Sequence, residues 1–366
     1  MNKKIIMRSI TLFTLMLIAS CSQDNSKFTP TTKLIMADNI EELTQLFSID
    51  EYDSYTFEGI EFSADGDLVI ALDHAIFQNQ KPCRVALWDT ATGKEQASQS
   101  LDLWALSTAA FHPNKPLVAL GGSNSAVYLW DFSSGESTLV TAGIPWSPDG
   151  SLSLSDGSIV EMVPVTSLAF SPDGAILAVG YSEVWGHSTV ELYDMTEGAK
   201  QGNIQPYWTH TIEYGGYLTL AFDPNGKILM VSHANDIYLW DPISGDLIQQ
   251  HRLSIEDLYI TDLTFSQDGK ICLTTTPDQT YVWDRETFEK IDKLNHLGGL
   301  KAINLDASIM ALIRNGEVSL WDTQTSEQLI VLEVPAAAFV RFSPDGTLLA
   351  TAGYGDVLRL WGIPEP

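Results

Sequence analysis

The chain has 366 residues and a formal net charge of −27, with 20 Lys and Arg against 47 Asp and Glu. A field of that sign repels phosphate backbones and anionic head groups, so it argues against a nucleic-acid partner. The length is large for one compact core but suits a ring of repeated units, each packed on its neighbours alone.

The first twenty residues read as a secretory signal peptide. Lys3, Lys4 and Arg8 form a basic start, Ile10 to Ile18 an apolar run, and Ile18-Ala19-Ser20-Cys21 a small-residue exit. Nine apolar residues are too few to span a bilayer core, which needs about 20 helical residues. The segment from Ile18 to Cys21 resembles the bacterial lipobox. That resemblance implies cleavage before Cys21, acylation (palmitate among the chains) of its sulfur, and firm attachment, since stable anchoring takes more than one acyl chain. Ser22 rather than Asp follows the cysteine. By the same resemblance this favours the outer membrane where the organism has one, and otherwise the outer face of the plasma membrane. Residues 21–32 are polar and read as a flexible tether. The fold is expected to occupy 33–366.

From residue 55 onward the sequence repeats itself. Phe62, Phe111, Phe170, Phe222, Phe265, Leu305 and Phe342 each end a short apolar stretch. Most are followed by a turn: SADG, HPNK, SPDG, DPNG, SQDG and SPDG, with the sixth copy degenerate. Pro presets φ in such turns, and Gly takes the left-handed conformation that closes a hairpin. A second β-rich stretch follows, then a third with a fixed ending. The endings are Trp88-Asp89, Trp130-Asp131, Tyr193-Asp194, Trp240-Asp241, Trp283-Asp284, Trp321-Asp322 and Trp361-Gly362. They recur about every 40 residues, the length of a four-stranded propeller blade. The step from Trp130 to Tyr193 is about twenty residues longer, which predicts an insertion there.

Seven such endings in register resemble the Trp-Asp (WD) repeat family over nearly all of residues 55–362. The resemblance implies an all-β, seven-bladed β-propeller of four-stranded antiparallel blades that works by binding proteins. It departs from the family in lacking the Gly-His dipeptide before each first strand, so the usual His–Asp network is expected to be largely lost. The Trp of each pair is expected as an apolar wedge against the next blade. The Asp is expected to accept N–H bonds from the turn that follows.

The last repeat has three strands. An open ring would expose two sheet edges, so the missing strand is expected from Leu43 to Ile49, closing the final blade. Cys83 and Cys272 fall four repeats apart, beyond disulfide reach, and are expected as free buried thiols. No metal-ligand spacing, catalytic elbow or phosphate loop is present. The protein therefore reads as non-enzymatic and cofactor-free. His112 and His210 are read as solvated loop residues. Asp50, Glu51 and Asp53 lack calcium-loop spacing. Two alternatives differ in kind: a propeller hydrolase or lactonase with an axial metal, and an envelope assembly factor of quinoprotein type. The second needs a docking Trp soon after Gly93, where Gln96, Ala97 and Ser98 stand.

Four tryptophans lie outside the repeated position: Trp104, Trp146, Trp185 and Trp208. With Tyr207, Tyr214 and Tyr217 they are expected to gather where blade-to-blade connections emerge, over blades two to four, as a face for a protein partner.

Overall fold

A computed structural model of the chain describes residues 32–49, 56–74, 83–101, 105–141, 163–182, 187–196, 205–213, 216, 218–253, 260–266, 270–276, 279–295, 299–304, 308–325, 327–353 and 357–365. Its strands are β1 (Thr32–Lys33) and β2 (Thr44–Ile49), then seven antiparallel groups. Blade 1 holds β3 (Thr56–Phe62), β4 (Leu68–His74), β5 (Cys83–Asp89) and β6 (Glu95–Leu101). Blade 2 holds β7 (Leu106–Phe111), β8 (Leu117–Gly122), β9 (Val127–Asp131) and β10 (Glu136–Thr141). Blade 3 holds β11 (Val165–Phe170), β12 (Ile176–Ser182), β13 (Ser188–Asp194) and β14 (Trp208–Ile212). Blade 4 holds β15 (Leu218–Phe222), β16 (Leu229–His233), β17 (Asp236–Trp240) and β18 (Leu247–Arg252). Blade 5 holds β19 (Asp262–Phe265), β20 (Ile271–Thr275), β21 (Gln279–Asp284) and β22 (Lys290–Asn295). Blade 6 holds β23 (Gly299–Ile303), β24 (Ile309–Arg314), β25 (Glu317–Asp322) and β26 (Gln328–Leu332). Blade 7 holds β27 (Ala337–Phe342), β28 (Leu348–Gly353) and β29 (Leu358–Pro364), completed by β2. The architecture is the expected seven-bladed propeller.

The closure follows from register. In blade 1, Leu87 pairs Ala97 and Trp88 pairs Glu95, with a bulge between them. In blade 7, Leu360 pairs Phe47 and Trp361 pairs Gln45, with the bulge in the same place. The N-terminal strand thus reproduces an outer strand down to its irregularity. Thr32, read from sequence as tether, already pairs with Pro364 in β1. Ile35, Ile40 and Leu43, between β1 and β2, bury themselves against blades 6 and 7.

The turns form as their chemistry dictates. Gly66, Gly174, Gly226 and Gly346 all have φ near +70°. After the inner-strand Phe of blades 1, 3, 4, 5 and 7 stands a buried residue whose side chain accepts a backbone N–H five residues on. Ser63 accepts from Leu68, Ser171 from Ile176, Asp223 from Ile228, Ser266 from Ile271 and Ser343 from Leu348. Asn304 accepts from Ile309 in the same way, and Ile303 pairs Met310. The sixth inner strand therefore ends at Ile303, not at Leu305. The sequence there lacks the Asp-Gly or Asn-Gly found in five of the other six turns, so the sequence frame slips by two.

The wedge points the other way from the expectation. Trp88 packs with Leu348, Ala350 and Leu360 of blade 7, and Trp130 with Ile70, Leu72 and Leu87 of blade 1. Trp240 packs with Ala178 and Leu192 of blade 3, and Trp283 with Met230 and Leu239 of blade 4. Each faces the preceding blade. Neighbours along a strand alternate faces, so Leu87 meets blade 2 while Trp88 meets blade 7. Fully burying one such side chain contributes roughly 1.5–3 kcal/mol. Of the polar network, a Trp–Thr step is seen in two blades: Trp283 Nε1 donates to Thr274 Oγ1 and Trp361 Nε1 to Thr351 Oγ1, both at 2.9 Å. Cys83 and Cys272 are buried thiols outside any disulfide.

Candidate functional site: the channel and the two faces

The inner strands enclose an axial cavity of about 530 Å³. At the position before the inner-strand Phe, blades 2, 3, 4 and 6 carry Ala110, Ala169, Ala221 and Ala302. Blades 1, 5 and 7 carry Glu61, Thr264 and Arg341 instead. Glu61 Oε2 lies 3.7 Å from Arg341 Nε, and Asp262 lines the same cavity. Burial within the ring raises the Glu61 carboxyl above its ordinary range; Asp262 raises it further and Arg341 opposes. This polar arc could have been found by aligning the inner strands on their Phe. Among the described residues no three His, Cys, Asp or Glu side chains converge on a metal-sized site.

The repeated carboxylates are committed to turns. Asp89 Oδ1 accepts from the Thr92 N–H at 2.7 Å, and Asp131 from Ser133 and Ser134. Asp194 accepts from Thr196, Asp284 from Glu286 and Thr287, and Asp322 from Gln324 and Thr325. These bonds hold Asp131, Asp194, Asp284 and Asp322 below the usual carboxylate range. These carboxylates serve the turns that follow them. In the seventh, Gly362 stands in place of Asp and is packed closely by β1, β2 and β28. A Cβ there would stand 2.8 Å from Leu46 Cδ1 and 3.1 Å from Thr32 Cγ2.

In a four-stranded meander, the first and third hairpins share one face of the ring. The middle hairpins and the blade-to-blade connections share the other. Of the expected aromatic face, Trp104, Trp146, Trp185, Tyr214 and Tyr217 lie outside the described residues. So do Cys21, Asp50, Glu51 and Asp53.

Trp208 and Tyr207 are described, and they sit on the opposite face. Trp208 begins β14 and pairs Leu192 beside the third hairpin of blade 3. Trp208 is therefore part of the outer strand of blade 3, not of the connection into blade 4. The Trp208 ring packs edge-on against Trp240 at 5.2 Å and lies where a Cβ on Gly245 would fall. Tyr207 donates its hydroxyl to the Pro242 carbonyl at 2.8 Å.

The two histidines also differ from expectation. His112 is buried, 5.0 Å from the Phe170 ring, because it occupies the turn position held elsewhere by Ser, Asp or Asn. His210 is a strand residue in β14, half-buried between Trp208 and Trp240. Desolvation lowers the pKa of both.

Residues 162–194 and 336–362, in blades 3 and 7, match the WD domain, G-beta repeat family. Curated relatives include eukaryotic translation initiation factor 3 subunit I of Aspergillus fumigatus, 25% identical over 216 residues, covering 57% of this chain and 56% of the relative. The same subunit of Coccidioides immitis is 26% identical over 215 residues, covering 57% and 56%. That of Lodderomyces elongisporus is 24% identical over 219 residues, covering 57% and 55%. The match spans about half the length of these relatives. Sequence register, blade architecture and family match agree on WD repeats in blades 3 and 7.

Proposed function

We propose that the protein is a non-catalytic scaffold for protein partners, held at the bacterial cell envelope by lipid on Cys21. The observation that carries the scaffold reading is the commitment of its repeated polar groups. The Trp-Asp carboxylates hold turns, and the Glu61 carboxyl in the channel is countered by Arg341. What remains for function is surface, and propellers put many functions on theirs. The relatives named above are subunits of an initiation factor, which supports work within an assembly. The anchor rests on the sequence from Lys3 to Cys21.

Crosslinking in intact envelopes, followed by purification, tests the scaffold reading. A defined partner recovered in constant ratio is expected; recovery of the chain alone overturns it. The anchor is tested separately by Cys21→Ala with metabolic acyl labelling and cell fractionation. Loss of label and of membrane retention is expected, and unchanged retention overturns it.

A further inference from the structure

Blade 4 carries an exposed apolar group on the hairpin face of the ring. Ile243, in the turn between β17 and β18, is 80% exposed, and Leu247 at the start of β18 is 45% exposed. Tyr207, from blade 3, is 46% exposed and is pinned to the same turn through Pro242. Leu247 pairs Trp240, so it shares the face of that strand which packs on Trp208. The three residues are thus gathered around one hairpin at the blade 3–blade 4 junction, against which Trp208 packs.

The hairpin is held against Trp208 for a local reason. Gly245 has φ +75°, and a Cβ there would stand 2.3 Å from Trp208 Nε1. The turn closes directly onto the indole. Three carboxylates border the surface: Asp194, Asp241 and Asp246. Asp194 is held by the Thr196 hydroxyl and N–H, and Asp241 by the N–H groups of Ile243 and Ser244. Asp194 and Asp241 both act on the Tyr207 phenol. With burial as the larger cause, they push its pKa up to about 12. Fixed aromatic anchors and fixed charge are what hot spots are made of, since little ordering remains at binding.

From this arrangement we infer that Tyr207, Ile243 and Leu247, bordered by Asp194, Asp241 and Asp246, dock a protein segment with aliphatic or aromatic residues flanked by Lys or Arg. The inference rests on the scaffold reading and adds the surface and the chemistry of the partner. Charge selects the occupant. The apolar centre supplies contact area, and its acidic border, within a chain of net charge −27, attracts basic segments and repels acidic ones.

The test uses the folded protein and a displayed library of random peptides. Enriched peptides should pair apolar residues with Lys or Arg. Their affinity should fall at least tenfold in Tyr207→Ala/Ile243→Ser. It should fall several-fold in Asp194→Asn/Asp241→Asn, and again with added salt. Thermal melting of each variant, matched to the parent, guards against misfolding, and Ile243→Ser alone provides a mild variant. Enrichment of acidic or uncharged peptides, binding unchanged by these substitutions, or no enrichment at all overturns the assignment. Peptides that bind another face would overturn this surface and leave the scaffold reading standing; a constant-ratio envelope partner tests that reading independently.

Discussion

Arg285, in the last hairpin of blade 5, donates Nη2 to the carboxylate of Asp223, in the first hairpin of blade 4. Asp223 is fully buried and also accepts from the Lys227 and Ile228 N–H groups. Four other blades place Ser at this position and need no cation there. Removing one partner of a buried pair leaves an uncompensated charge. Arg285→Ala should therefore cost about 3–5 kcal/mol. Adding Asp223→Ser should restore most of it, read as the denaturant midpoint. A double variant as unstable as the single one would show that the ion pair is not the reason.

His112 makes stability depend on pH. Desolvation, then Lys115, lowers its pKa from 6.5, while Asp173 and the Gly174 backbone oppose. The folded state therefore favours the neutral ring. Its contribution is present above the unfolded pKa and is lost as pH falls through about 6.5 toward the lower folded value. His112→Ser should flatten the fall in melting temperature between neutral and acid pH. Part of the slope should remain, because His210 and His251 are shifted in the same direction. An identical slope in the variant refutes the assignment.

Gly362→Asp restores the repeat consensus and should still destabilise. The new Cβ would crowd Leu46, Leu348 and Thr32, and overpacking of this kind costs about 1–3 kcal/mol. Melting of the purified variant checks it; a parent-like transition would mean that β1 and β2 yield easily.

A chain beginning at Asp53 lacks β1 and β2, exposing the outer edge of β29 and the blade 6–blade 7 core that Ile35, Ile40 and Leu43 cover. It should lose cooperative thermal unfolding or aggregate. Melting like the mature protein would disprove the closure as a stabilising element.

The sequence by itself determined the blade count, the strand order within each blade and the closing strand. The blades repeat a turn and an aromatic ending, and in most of them local chemistry sets both: Gly at positive φ, and an Asp that accepts the next N–H groups. It misplaced the end of the sixth inner strand, where that chemistry fades and pairing of Ile303 with Met310 sets the frame. It could not choose the neighbour of each wedge. Alternation separates the two faces of a strand without saying which blade each face meets, and the hand of the ring makes that choice. Nor could it place Trp208 and Tyr207. Only the pairing of Trp208 with Leu192 fixes on which face of the ring they emerge.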